Sequence, residues 1–414
     1  MGQLKRAAAY TQVSRKQWTD WKWQIRNRIS TVEQLHEVFP QINEEEIEGI
    51  RRVLGSFRMS ITPYYASLID IHNEHCPIRL QAIPSAKELQ TAFGDLVDPL
   101  DEDRDQIAPS LTHRYPDRVL MLVTDVCNMY CRHCTRRRKV GEHDEQIADK
   151  VIEQQLAAIR KRKQIRDVII SGGDPLTMSD GRIESILRRL RQIKHVEIVR
   201  IGTRSPVVNP YRITPALVRM LRRYHPLYVN THFNHYSELT AEAIESCERL
   251  ADAGIPLGNQ SVLLRRVNDC PHVMKRLVQE LLRARVRPYY IYQCDLTLGI
   301  SHFRTSIGKG IEILEALRGH TSGLAVPTFV VDCPAGGGKV PLMPTYTISR
   351  SDDQVVLRNY EGQIISYNEP HRYDSICGSD PACNDERYRS AVGPARLMRS
   401  PDLAIEPKFR KLED

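Results

Sequence analysis

The chain has 414 residues, 59 Lys and Arg against 51 Asp and Glu for a formal net charge of +8, 41% hydrophobic residues and 10 cysteines. This is ordinary globular composition with enough length for a sizeable core; it excludes a disordered or collagen-like polymer and, with cysteine so sparse, a disulfide scaffold. No run approaches the roughly 18–20 apolar residues of a membrane span.

The N-terminus, MGQLKRAAAYTQVSRKQWTDW, has no apolar signal core, and Arg6 sits where a myristoylation signal wants Ser or Thr. A cytoplasmic protein is expected, and in a reducing cytosol clustered cysteines serve metal binding or catalysis. Residues 1–110 read as a helical N-terminal region, with helical periodicity in Thr31–Phe39 and Glu44–Leu54 and proline punctuation. From about Asp117 short apolar runs begin: Val119–Val123, Val168–Ser171, Val196–Ile201, Leu227–Thr231, Pro256–Ser261, Pro288–Tyr292 and Thr328–Val331. Between them lie the helix-length segments Asp144–Arg160, Arg182–Ile193, Pro215–Tyr224, Thr240–Ala253, His272–Arg285 and Gly308–Leu317. This alternation predicts an α/β fold of βα units on a parallel sheet, doubly wound or barrel-like, with its chemistry just past the carboxyl ends of the strands. After about Pro344 it stops; strands are expected at Thr347–Ser349 and Gln354–Arg358, and from Asp385 a polar, basic tail.

Cys127-Asn-Met-Tyr-Cys131-Arg-His-Cys134 follows the first of these strands directly. Three thiolates on one loop suit three irons of a four-iron cluster whose fourth iron keeps an open position; the other reading is a zinc site completed by His133 or a distant cysteine. Ser171-Gly172-Gly173-Asp174-Pro175-Leu176 ends the second strand, where glycines let backbone groups approach a ligand, although a plain βα turn uses the same residues. Asp332-Cys333-Pro334-Ala335-Gly336-Gly337-Gly338-Lys339 lies beyond the last strand and puts a lysine on a mobile glycine segment suited to Schiff-base chemistry. A Walker phosphate loop would have Ser or Thr after the lysine, and here Val340 follows. His113-Arg114-Tyr115-Pro116-Asp117-Arg118 offers two guanidiniums and a phenol to a phosphate.

HRYPDR, CxxxCRHCTRRR, SGGDPL, NTHFNH (Asn230–His235), GIPLGNQ (Gly254–Gln260), YYIYQCDL (Tyr289–Leu296) and DCPAGGGK occur in the order seen in the lysine 2,3-aminomutase family, which the chain resembles over about residues 60–375. The resemblance implies an incomplete (β/α)6 radical S-adenosylmethionine (SAM) barrel over residues 111–345, with a C-terminal extension over 346–414. It implies a 4Fe-4S cluster on Cys127, Cys131 and Cys134. His133, Thr135, Ser171, Gly172, Gly173, Asp174, His232 and Gln260 would surround SAM. Lys339 would carry pyridoxal 5′-phosphate (PLP), with Arg114, Tyr115 and Arg118 on its phosphate. Arg136 would pair with the substrate carboxylate, for which a guanidinium fork has the right geometry. Asp295 and Asp332 would face the far end of the substrate, where two converging carboxylates need a cation. L-Lysine is the first choice and L-arginine the alternative, with Thr297, Leu298, Cys333 and Ala335 flanking the two acids.

The family also implies an electron donor such as flavodoxin or ferredoxin, a homo-oligomer, and zinc at a subunit interface. The zinc candidates are Cys270, Cys377 and Cys383, with His371 or Asp380 as a fourth ligand. Cys76, Cys247, Cys294 and Cys333 read as small buried hydrophobes. A rival reading takes the basic runs Arg136–Lys139 and Lys161–Lys163 as a surface for RNA, but no aromatic residues interleave them to stack bases, and a charge run is usually a solvated face.

Overall fold

A computed structural model of the chain describes residues 6–140, 145–370 and 380–385. Near the N-terminus the helices Val32–Val38 and Glu44–Leu54 form where periodicity predicts them. The second starts on an Asn43 cap and carries Glu44, Glu45 and Glu46 in its first turn and Arg51 and Arg52 in its last, charges that complement the helix dipole. Its buried stripe of Ile47, Ile50 and Val53 faces inward. Shorter helices lie at Trp21–Arg26, Pro63–Ala66 and Pro77–Ala82, and their apolar residues join those of the central sheet in one hydrophobic core.

That sheet has ten strands in chain order: β1 (Gln106–Ala108), β2 (Leu111–Tyr115), β3 (Arg118–Leu122), β4 (Asp167–Ser171), β5 (Ile198–Gly202), β6 (Leu227–Thr231), β7 (Leu257–Leu263), β8 (Arg287–Gln293), β9 (Thr328–Cys333) and β10 (Gly338–Leu342). From β3 to β9 every pairing is parallel. Helices Asp149–Lys161, Asp180–Arg191, Pro215–Leu221, Ala241–Asp252, Pro271–Arg283 and Ile307–Leu317 follow β3 to β8 in turn, which makes six βα units and a seventh parallel strand, the arrangement of an incomplete barrel. Val119, Met121, Val168, Ile170, Val199, Ile201 and Val229 are buried on one face of the strands. On the alternate positions Leu120, Ile169, Arg200, Gln260, Tyr290 and Tyr292 remain half-buried.

The observed strands match the seven apolar runs, and the first helix begins at Asp149, later than the expected Asp144. Three strands of this sheet went unread. β1 and β2 form an antiparallel edge and β10 closes the other edge against β9, with Lys339 opposite Asp332. LTHRY, between β1 and β3, has a polar centre and no apolar alternation, and the edge strand GKVPL contains Gly and Pro, so neither carries a strong strand pattern.

By contact density, the described residues of Met1–Tyr346 and Tyr360–Gln363 form one unit and those of Thr347–Asn359 and Ile364–Asp414 a second. The second unit contains the antiparallel sheet β11 (Thr347–Arg350), β12 (Gln354–Arg358) and β13 (Ile364–Asn368). β13 is exposed along its whole length and so shows no inside-outside alternation to read. The basic tail lies outside the described residues beyond Asp385. No helix among the described residues is long and apolar enough to cross a membrane.

Candidate functional site

The cysteine loop leaves the end of β3 and is held almost entirely by buried groups. Asn128 is fully buried; its amide donates to Ser205 Oγ at 2.9 Å and its carbonyl accepts from Asn209 at 3.0 Å. Arg132, equally buried, donates to Glu88 Oε1 at 2.9 Å and to the Arg58 carbonyl at 2.7 Å. Backbone N–H groups of Tyr130 and Arg132 reach the carbonyls of Ser60 and Gln81 at 3.0 Å. The N-terminal helical region therefore clamps this loop.

Burial, with Cys134, Asp174 and Cys131 close by, raises the Cys127 thiol well above its usual range, and burial with Cys131 alongside raises Cys134 to about 11. Thiols pushed up in this way give up their protons readily only to an electrophilic metal centre, which is what an iron–sulfur cluster offers. Among the described residues no three His, Cys, Asp or Glu side chains close on a point where a single metal ion would sit. A four-iron body, larger than one ion, is the better fit to three cysteines spread along a loop. His133 lies beside them, buried, with Nε2 accepting from Asn234 Nδ2 at 3.2 Å. The ring proton then falls on Nδ1, a buried donor with no partner among the described residues. Burial, with Arg204 nearby, holds His133 neutral, and burial lowers His232 to about 4.

The glycine turn packs directly against the cysteine loop. Gly172 and Gly173 admit the protein's own backbone: a Cβ on Gly172 would stand 2.2 Å from the Thr124 carbonyl oxygen, and one on Gly173 would stand 2.2 Å from that of Val126. Gly173 N–H donates to Thr124 O at 2.6 Å and Asp174 N–H to Val126 O at 2.7 Å, so neither is free for a ligand. These contacts weld the end of β4 to the segment that leads into the cysteine loop. Asp174 is likewise a structural knot. Its carboxylate accepts from Thr203 Oγ1 at 2.6 Å, Leu176 N at 3.0 Å, Ser205 Oγ at 3.0 Å and Arg204 N at 3.1 Å.

Lys339 differs from expectation: it is a strand residue of β10, and the preceding glycines turn the chain into that strand. Its backbone N–H donates to the Tyr115 hydroxyl at 2.9 Å, and its Nζ reaches the two Asp332 oxygens at 2.9 and 3.0 Å. The Tyr292 ring centre lies 5.3 Å from Nζ, and Gln260 Nε2 donates to the Tyr292 hydroxyl at 2.8 Å. Arg118 stacks on Tyr115 at 3.9 Å and pairs with Asp117 at 3.0 Å. An amine among phenols and a guanidinium is a donor set that suits an aromatic aldehyde phosphate. Asp295, half-buried past β8, accepts from Thr135 Oγ1 at 2.7 Å; desolvation and the nearby Asp332 raise it to about 6. The structure thus brings Gln260, Thr135, Lys339, Asp295 and Asp332 to one end of the barrel.

Sequence reasoning missed the partners of the arginines. Arg114, expected on a phosphate, donates to Asp105 at 2.7 Å and to the Leu100 carbonyl. Arg136, expected on a carboxylate, is forked onto buried Glu102 at 2.7–3.2 Å. Arg138 pairs with Asp98 and Asp103, Lys139 with Asp103, and Arg137 with Glu88. Arg136, Arg138 and Lys139 are therefore paired by a short acidic stretch, Asp95-Leu-Val-Asp-Pro-Leu-Asp-Glu-Asp-Arg-Asp105, and Arg137 by Glu88. The signal was legible as six acids in eleven residues.

Cys270 caps the helix Pro271–Arg283, Cys383 sits in the turn Pro381–Asn384 of the second unit, and Cys377 and His371 lie outside the described residues. Cys76, Cys247 and Cys294 are buried as expected, whereas Cys333, ending β9 beside the glycine turn, is only half-buried.

Comparison with known proteins adds the following. Residues 121–278 match the family model described as Radical SAM superfamily, and residues 314–414 the model described as Lysine-2,3-aminomutase. The chain is 57% identical to the L-lysine 2,3-aminomutase of Clostridium subterminale over 403 residues, 97% of this chain and 96% of that one. It is 56% identical to the L-lysine 2,3-aminomutase of Acetoanaerobium sticklandii over 96% of each chain, and 47% identical to the glutamate 2,3-aminomutase of Clostridioides difficile over 86% of this chain and 84% of that one.

Proposed function

The chain belongs to the lysine 2,3-aminomutase family of radical SAM isomerases, and on that premise we propose that it is PLP-dependent and moves the α-amino group of L-lysine to the β-carbon. Relatives with different substrates share about half their residues with it, so identity alone does not choose the amino acid. The observation that carries the choice is the pair Asp295 and Asp332. A Lys339 engaged in holding PLP leaves Asp332 without its ammonium partner. Asp295 is already strained toward its neutral form by burial and by Asp332. A substrate ammonium entering between them relieves both, whereas a glutamate side chain would add a third negative charge.

When bound, the cluster and SAM supply a carbon radical that abstracts hydrogen, and PLP supplies a conjugated ring that stabilises the migrating nitrogen. The chain's own residues hold and orient. Cys127, Cys131 and Cys134 would ligate the cluster, with His133 Nδ1 as a buried donor beside it. Arg136, its Nε and Nη2 locked on Glu102, keeps Nη1 to grip the substrate carboxylate. Arg118 and Tyr115 would anchor the phosphate end. Arg114 would do so only by sharing its guanidinium with Asp105.

The test is to purify the protein without oxygen, add SAM and a reductant, and compare turnover of L-lysine, L-arginine and L-glutamate. L-Lysine should be fastest and borohydride should fix the cofactor on Lys339. A preference for arginine would replace the substrate while keeping the role of the two acids; a preference for glutamate, or no adduct on Lys339, would overturn the proposal.

A further inference from the structure

We propose that Arg204 sets the reduction potential of the cluster by donating a hydrogen bond to the ligating sulfur of Cys131. This rests on the cluster reading above and extends it to a residue outside every sequence motif considered. Arg204 follows β5, in a turn clamped by Asp174 through Thr203 Oγ1, Arg204 N and Ser205 Oγ at 2.6–3.1 Å. Its side chain is 8% exposed, and every nitrogen is used. Nε donates to the His232 carbonyl at 3.1 Å, Nη1 to Cys131 Sγ at 2.7 Å, and Nη2 to Gln81 Oε1 at 2.6 Å and Glu238 Oε1 at 2.7 Å.

Glu238 is itself fully buried and saturated, accepting from the Tyr65 hydroxyl and Asn234 N at 2.6 Å and from His235 N at 2.9 Å. Burying a guanidinium requires a carboxylate, and Glu238 supplies it at Nη2 while Nη1 is left to the sulfur. The result is a fixed dipole with its positive end on Cys131. A hydrogen bond and a nearby cation favour the more negative, reduced state of a cluster, and both are among the factors that set cluster potentials. Arg204 is thus placed to ease entry of the electron that radical generation needs, and its link to the His232 carbonyl ties this to the neighbouring strand.

The experiment uses the full chain reconstituted anaerobically with iron and sulfide, with iron content counted and the reduced cluster followed by electron paramagnetic resonance in a potentiometric titration. At equal iron content, Arg204→Gln should lower the midpoint enough to change the reduced-to-oxidised ratio roughly tenfold at a fixed potential. Arg204→Lys, keeping the charge without the fork, should shift it less, and Glu238→Gln should shift it upward. Unchanged midpoints, or a loss of SAM affinity with no shift in potential, would overturn the proposal. So would loss of iron from all three variants, which would make Arg204 a prop for the loop. A wild-type protein that binds no cluster would instead overturn the reading on which this one rests.

Discussion

The two rims of the barrel mouth are built on different terms. At the cysteine rim, charged and polar groups are locked to protein partners: Arg132 on Glu88, Arg204 on Glu238, Asp174 on five donors. At the lysine rim the charges satisfy one another, Lys339 with Asp332, Arg136 with Glu102 and Arg114 with Asp105, in pairs that bound ligands must share or take over. A rigid cradle suits a cluster whose geometry is invariant. Exchangeable ion pairs suit a cofactor and substrate that come and go, because each charge stays compensated at every stage.

That contrast can be broken most severely at Lys339. Lys339→Ala should reduce turnover by about a thousandfold or more, since a covalent anchor has no substitute, while iron content stays at the wild-type level; rate and iron assays on one preparation check it. Next come Asp332→Asn and Asp295→Asn. Losing a charge-assisted contact with the substrate ammonium should raise KM for L-lysine roughly 10–100-fold with bound PLP unchanged, as steady-state kinetics and PLP absorbance would show. At the cysteine rim, Gly173→Ala forces a Cβ against the Val126 carbonyl and should lower stability by ~1–3 kcal/mol together with iron content, read by thermal unfolding and iron assay. Glu102→Gln should have a smaller effect, a rise in KM of roughly 3–10-fold with little change in kcat, because Arg136 keeps its position but loses its charged anchor.

A pH profile sharpens the same contrast. Asp295 titrates near 6, above the usual carboxylate range, and only its ionised form attracts an ammonium. KM for L-lysine should therefore fall as pH rises through about 6 and level off above it. For stability the sign is opposite: a raised carboxylate favours the neutral form, so its destabilising contribution grows from the ordinary value near 4 up to about 6. His232, lowered to about 4, contributes stability that is present above its ordinary value near 6.5 and is lost as pH falls through 4. Asp295→Asn should abolish the KM dependence near pH 6 and leave the acid-side loss from His232 in place.

Much of this was legible in sequence because it is local. The cysteine spacing, the glycine turn and the six βα units each lie within a short stretch, where apolar periodicity and the order of motifs suffice. β2 and β10 carry no clear signal because LTHRY mixes polar residues on both faces and GKVPL contains Gly and Pro, and Lys339 lies within the second of them. The sequence by itself determined which groups are present: three thiols, a lysine, two aspartates and a handful of arginines. Only the tertiary structure decided what each faces. An ion pair such as Arg136 with Glu102, or a hydrogen bond such as Arg204 with Cys131, joins residues 34 and 73 positions apart. Such contacts depend on which strand ends and loops the sheet brings together, and on burial deep enough that every charge must find a partner.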